Sequence, residues 1–186
     1  KFKQLLNERL RGIPIAHLTG YREFWTLNLK VTADTLIPRP ETELLVETSL
    51  SLLPAPLAGE GLGMGGKRES ALDLGTGTGA IALAIASERP RCRVVGTDLS
   101  PDAVTLALRN AARLDLAHVE FRVGSWFEPV QDERFDLIAC NPPYIADGDP
   151  RVEAGVRRHE PHAALFSGAT GLEALSDIVA DAPVHL

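Results

Sequence analysis

Residues 70–98 read SALDLGTGTGAIALAIASERPRCRVVGTD, and the change of period inside this stretch decides the fold. A short apolar run, Ser70 to Leu74, breaks at Gly75, Gly77 and Gly79. Apolar residues then continue through AIALAIASE without a turn residue, as in a buried helix, and a second β-prone run, CRVVGTD, closes on Asp98. Strand, glycine turn, helix and strand make one βαβ unit. The alternation carries on. PDAVTLALRNAARL reads as a helix with Ser100 as N-cap and Pro101 at its first position, HVEFRVG as a third strand, FDLIAC as a fourth, and GLEALSDIVADA as the start of another helix. This predicts an α/β fold with a mostly parallel sheet covered on both faces. Four strands alone would leave the last as an exposed apolar edge, which soluble proteins avoid, so the sequence is expected to be a fragment with its sheet incomplete towards the C-terminus.

Upstream the reading is different. KFKQLLNERLR, residues 1–11, looks like the tail of a helix with Leu5, Leu6 and Leu10 on one side. Residues 13–33 hold two β-prone runs separated by Thr19-Gly20; the second, in which Phe24 and Thr26 alternate with Trp25 and Leu27, predicts a hairpin. TLIPRPETELLVETSLSLL gives a stiff double-proline entry to a helix over about 42–53, stopped by Pro54. Residues 54–69 contain five glycines and two prolines in PAPLAGEGLGMGGKRE and are expected to form a loop or insertion. The organisation predicted is a helix tail at 1–11, which the family resemblance given below implies to be the remnant of an N-terminal helical domain, a β-hairpin linker at 12–40, and the main domain at 41–186.

Composition limits the function. The 186 residues are 45% hydrophobic and 24% charged, enough for a domain with a real core. No apolar run approaches the roughly 20 residues of a bilayer-spanning helix and no signal segment opens the chain, so a cytoplasmic protein is expected. Cys92 and Cys140 each lie in an apolar run, as structural cysteines do. His159 and His162 lack metal-ligand spacing, and no metal is expected. The net charge of −6 and the scattered basic residues argue against binding a phosphate backbone.

Two stretches carry the chemistry. In DLGTGTGA, residues 73–80, the glycines follow a strand and open a helix, which lets backbone approach a ligand at the carboxyl end of the sheet. Asp98, at the tip of the next strand, is placed to accept hydrogen bonds from ribose hydroxyls. Together they point to a nucleoside. The spacing is not the GxGxxG of a dinucleotide oxidoreductase, and no GK[ST] phosphate loop follows. The second stretch is CNPPY, residues 140–144, after the fourth strand. That strand is expected beside the first across the switch point, so Asn141 would overlook the nucleoside. Pro142 and Pro143 stiffen the loop and remove N–H donors, leaving an acceptor-rich surface. The Asn141 side-chain oxygen and the Pro142 carbonyl can take the two hydrogens of a flat NH2 group while Tyr144 packs on the plane that bears it. Such a grip turns the nitrogen lone pair towards a partner, and if that partner is a sulfonium methyl no strong base is needed.

At this point the sequence resembles the HemK (PrmC) family. The resemblance rests on GIPIAHLTGYREFWTLNLKVTADTLIPRPETELLVE, DLGTGTGAIALAIASERP, VVGTDLSPDAVTLALRNA, SWFEP, FDLIACNPPYI and HEPHAALFSGATGLEAL, and it runs from about residue 11 to the end. It implies a Rossmann-like, S-adenosyl-L-methionine-dependent methyltransferase that modifies the glutamine side-chain nitrogen in the GGQ motif of peptide chain release factors, with S-adenosyl-L-homocysteine as product. Carried over by position, the cofactor contacts fall on Gly75, Thr76, Gly77, Thr78, Gly79, Asp98, Trp126 and Asn141, and the catalytic substrate clamp on Asn141, Pro142, Pro143 and Tyr144. Arg39 with Glu41 or Glu43 either lines the substrate mouth or merely enters the helix. The partner implied is a release factor, with no nucleic acid, no membrane and a monomeric protein expected. NPPY alone is less specific, since adenine-N6 methyltransferases of nucleic acids use it for another planar amine; that is the alternative reading, for which a basic face and a target-recognition region are missing. A nicotinamide-dependent dehydrogenase would have no use for NPPY, and a non-catalytic cofactor-binding module would not need it intact. Which release factor is modified and what residues 54–69 do are not written in the sequence.

Overall fold

The computed structural model describes residues 1–54 and 68–186. In chain order its elements are α1 (Phe2–Leu10), α2 (Ile15–Thr19), β1 (Tyr21–Phe24), β2 (Leu27–Lys30), α3 (Thr42–Leu52), β3 (Ser70–Leu74), α4 (Ala80–Glu88), β4 (Arg93–Asp98), α5 (Pro101–Arg113), β5 (Glu120–Val123), β6 (Leu137–Cys140), α6 (Ala154–His159), α7 (His162–Leu165) and α8 (Glu173–Asp181). Strands β3 to β6 form one parallel sheet in the order β5-β4-β3-β6, and β1 and β2 pair as a separate antiparallel hairpin. The fourth strand of the parallel sheet therefore lies beside the first, with Leu74 level with Cys140.

The period of two sorts the sheet residues between two apolar clusters. Ala71, Val94, Leu137 and Ala139 face α3, α4 and the hairpin, while Leu72, Leu74 and Val95 face Phe127, Val130, Phe135 and Ile178 of α8. Helix α4 is wrapped on all sides, and every residue from Ala80 to Ala86 is buried. Helix α5 begins as its sequence predicts, with the Ala103 amide donating to Ser100 Oγ at 3.2 Å and Pro101 at the first position.

Upstream, the hairpin falls entirely within the second of the two β-prone runs. The first folds as α2 instead. Its end suits a helix better than a strand: Thr19 Oγ1 donates back to the Ile15 carbonyl at 3.1 Å, and Gly20 takes the left-handed conformation at φ 78° that closes a helix. Two side chains then bolt the hairpin to the main domain. Asn110, fully buried on α5, accepts from the Lys30 amide at 2.8 Å and donates to the carbonyls of Lys30 and Thr78. Trp25, at φ 55° in the hairpin turn, donates from its ring to Glu88 Oε1 at 2.8 Å and from its backbone to Glu43 Oε1 at 2.9 Å. The predicted loop at 54–69 lies almost wholly outside the described residues. Both cysteines are free; burial raises the Cys92 thiol to about 11 and pushes that of Cys140 up further, while Cys140 Sγ donates to the Leu74 carbonyl. Among the described residues no helix is long and apolar enough to cross a membrane.

Candidate functional site

A cavity of about 510 Å³ opens at the carboxyl ends of β3, β4 and β6. Its floor comes from the glycine loop, one wall from the tip of β4 and the segment after β5, and the opposite wall from the end of β6 and from residues 34–42. The loop is held from below by Asp73. Because strand residues alternate, Asp73 shares the face of Ala71 and points under α4, where it is fully buried. Its Oδ2 accepts from Thr76 Oγ1 at 2.6 Å and from the Ala82 amide at 3.1 Å, and its Oδ1 has no partner among the described residues. Burial outweighs those two bonds and, with a smaller contribution from Asp98, pushes the carboxyl up to about 7.

Asp98 is aimed by backbone. Its Oδ2 accepts from the Gly77 amide at 2.8 Å and its Oδ1 from the Ser100 amide at 2.9 Å, so the carboxylate cannot swing out of the cavity wall. Leu99, beside it, is 71% exposed and lines the same cavity. Trp126 faces the glycine loop: a Cβ on Gly75 would stand 3.4 Å from its ring. The Trp126 backbone is held at φ 39° by a hydrogen bond from Thr97 Oγ1 to its carbonyl, an unusual conformation for a bulky residue that fixes where the ring stands.

Asn141 stands at the end of β6, with its Nδ2 3.4 Å from Thr42 Oγ1 on α3. Pro142 and Pro143 continue the cavity wall. The chain after them is stapled down by strand-like bonds, the Ile145 amide to the Leu165 carbonyl at 3.1 Å and the Ser167 amide to the Ile145 carbonyl at 2.8 Å. Gly171 sits against this staple so closely that a Cβ would lie 2.7 Å from the Tyr144 carbonyl oxygen, and its φ of 80° favours glycine as well.

The structure thus brings Gly75, Thr76, Gly77, Thr78, Asp98, Trp126, Asn141, Pro142 and Pro143 around one cavity. Two of the predicted residues stand elsewhere. Gly79 does not line the cavity; a Cβ there would press on Leu83, Ala107 and Phe121, so its place is in the packing between the loop, α5 and β5. Tyr144 is 66% exposed and lines a second pocket of about 320 Å³. That pocket shares Leu36, Arg39, Asn141, Pro142 and Ala164 with the first. Of the acidic residues considered for its mouth, Glu43 is turned to the Trp25 amide and Glu41 is exposed at the entry to α3; neither lines either pocket. Arg39 does, paired to buried Glu160 at 2.6 Å. Asp73, Thr42, Leu99 and Glu160 were not singled out from the sequence. A lone acid inside an apolar strand was the one available signal, at Asp73.

The profile of the family described as "Methyltransferase domain" matches residues 66–163, more than half of the chain. The chain belongs to this methyltransferase family. Along its whole length it is similar to curated proteins named release factor glutamine methyltransferase: 51% identical to that of Xylella fastidiosa over 100% of this chain and 64% of the relative, and 52% identical to that of Yersinia pestis over 98% and 62%. The relative from Escherichia coli is 46% identical over 94% and 59%. The chain therefore spans a little under two thirds of the length of the curated relatives it matches. Among solved structures, the hMettl16 catalytic domain in complex with MAT2A 3'UTR hairpin 6 superposes with a TM-score of 0.60 at 17% identity, covering 86% of this chain and 57% of that one. Ribosomal protein L11 methylase from Lactobacillus delbrueckii subsp. bulgaricus gives 0.50 at 23%, covering 80% and 56%. At those identities the likeness shows the fold alone, an α/β methyltransferase sheet.

Proposed function

We propose that this chain carries the catalytic centre of an S-adenosyl-L-methionine-dependent protein-(glutamine-N5) methyltransferase acting on the GGQ loop of a peptide chain release factor. The observation that carries the reading is that Asn141 and Pro142 form the wall shared by the two pockets, so that one reactant can meet the other across them. The names of relatives about 50% identical over nearly all of this chain support the same acceptor.

The residues present fit the cofactor. Asp98 is pre-aimed by two amides to accept from ribose hydroxyls, and Leu99 and Trp126 offer flat and apolar surfaces on the same wall. Gly77 would have nothing within 4 Å of an added Cβ, which leaves room over the loop for a ligand. When bound, the cofactor supplies an electrophilic sulfonium methyl carbon and is left as S-adenosyl-L-homocysteine.

On the acceptor side, Asn141 Oδ1 and the Pro142 carbonyl accept the two hydrogens of the glutamine NH2. An amide nitrogen is a poor nucleophile because its lone pair is delocalised; two fixed acceptors hold that pair towards an incoming methyl carbon and stabilise the positive charge that would grow on nitrogen, which would then lose one N–H proton to solvent. Prolines suit the task because their fixed φ keeps the carbonyl in place and they bring no competing donor. Among the described residues, Asp34, Arg39 and Asp98 are the ionisable side chains lining the cavity, and Asp98 is held by two amides, so the site works by positioning rather than by a strong base. Tyr144 and Arg39 line the side from which the acceptor enters. The same reading takes residues 12–40 as a hairpin linker before a catalytic domain at 41–186, in a monomeric cytoplasmic enzyme.

The test is incubation of the intact protein with methyl-labelled cofactor and three acceptors: a release factor, the same factor with the GGQ glutamine replaced by alanine, and an adenine-containing duplex. Label is expected in the first alone. Label in the duplex, or equal label in the alanine-substituted factor, would overturn the assignment.

A further inference from the structure

We propose that Thr42 is a positioning residue for Asn141, pinning the carboxamide in the wall shared by the two pockets; this rests on the clamp described above. An asparagine side chain has two ends of nearly equal size, and only one can grip an NH2 group. If the Asn141 NH2 faced the acceptor, donor would meet donor. In the structure that NH2 group is turned to Thr42 Oγ1 at 3.4 Å, which leaves Oδ1 as the free end.

Among the described residues, the hydrogen bond that the Thr42 hydroxyl makes is the one with Asn141. The entry to α3 has no side-chain capping bond, whereas Thr48 and Ser51 further along bond back to the carbonyls of Leu44 and Thr48. Nor is Thr42 loosely placed. Pro38 and Pro40 stiffen the approach, Glu160 takes the Ile37 amide at 3.3 Å and the Arg39 guanidinium at 2.6 Å, and Glu43 holds the hairpin turn through the Trp25 amide. Asn141 is anchored separately, at the end of a strand paired with β3. The contact thus joins two independently fixed elements across 99 residues of sequence, and it gives the segment IPRPETE a part in the chemistry through one hydroxyl.

The experiment compares Thr42→Val, which keeps the shape and removes the hydroxyl, with Thr42→Ser, which keeps the hydroxyl, in the intact protein. Thr42→Val is expected to lower kcat about tenfold, the scale of one lost hydrogen bond to a reacting group. The thermal midpoint should stay at its parent value, and Thr42→Ser should restore turnover. In an Asn141→Ala background Thr42→Val should cause no further loss, because the residue it orients is gone. Independently of activity, the side-chain NH2 resonances of Asn141, assigned by their absence in Asn141→Ala, should shift in Thr42→Val and return in Thr42→Ser. Parent turnover in Thr42→Val, a full further loss in the Asn141→Ala background, or unmoved Asn141 resonances would overturn the proposal while leaving the clamp intact. Parent turnover in Asn141→Ala itself would instead remove the clamp.

Discussion

The glycine loop and the Asn-Pro-Pro corner look into the same cavity, yet they are held in different ways. The loop is fixed locally: Asp73, Thr76, Ala82 and Asp98 all lie within one βαβ unit and tie it through buried or backbone bonds. The corner is fixed from afar, by Thr42, by the Arg39–Glu160 pair and by the staple between Ile145 and residues 165–167. The loop side is held largely by its own βαβ unit. The corner is assembled from segments outside that unit, which on the proposed function is the acceptor side.

If the two sides are separate, mutations should divide them. The largest effect is expected at Asn141→Ala: methyl transfer falls at least about a hundredfold, the scale of losing a hydrogen bond made in the transition state, with cofactor affinity by calorimetry nearly unchanged. Comparable losses in both would merge the two sides into one. Asp98→Ala should do the reverse, weakening cofactor binding by about tenfold or more, as expected for a charged acceptor, and equal calorimetric affinity would remove Asp98 from the site. Gly171→Ala places a Cβ against backbone at a positive φ, so it should lower stability by about 1–3 kcal/mol and slow transfer, without touching the cofactor side. An unchanged thermal midpoint and rate would mean the staple does not support the corner.

The smallest effect concerns the loop alone. Asp73 keeps a proton in the folded chain up to about pH 7 that the unfolded chain releases above its ordinary value of 3.8. The folded state thus binds more protons in that window, so this group's contribution to stability declines as pH rises from about 4 to about 7. Asp73→Asn should flatten that part of the stability profile, read by denaturant unfolding at several pH values, and an unaltered slope would show that Asp73 is ionised in the fold.

The same contrast explains what the sequence could and could not tell. The unit from Ser70 to Asp98 was legible because its signals are local: an apolar run, glycines, a helix without breaks and an acid at a strand tip. Ser100 and Pro101 were readable for the same reason. The run at Ile13–Thr19 misled because Ile15, Leu18 and Thr19 suit a strand by propensity, while a hydroxyl turned back on the helix and a left-handed Gly20 decided for a helix. Gly79 belongs to the glycine pattern, yet an added Cβ there would press on Leu83, Ala107 and Phe121, neighbours that the pattern does not reveal. Thr42 and Glu160 left no trace, since their partners lie 99 and 121 residues away.

The most direct test is a crystal structure of the intact protein with S-adenosyl-L-homocysteine and a glutamine-bearing GGQ peptide. The glutamine NH2 is expected within hydrogen-bonding distance of both Asn141 Oδ1 and the Pro142 carbonyl, with Asn141 Nδ2 still turned to Thr42. A glutamine amide seated away from those two oxygens, or gripped by other acceptors, would contradict it.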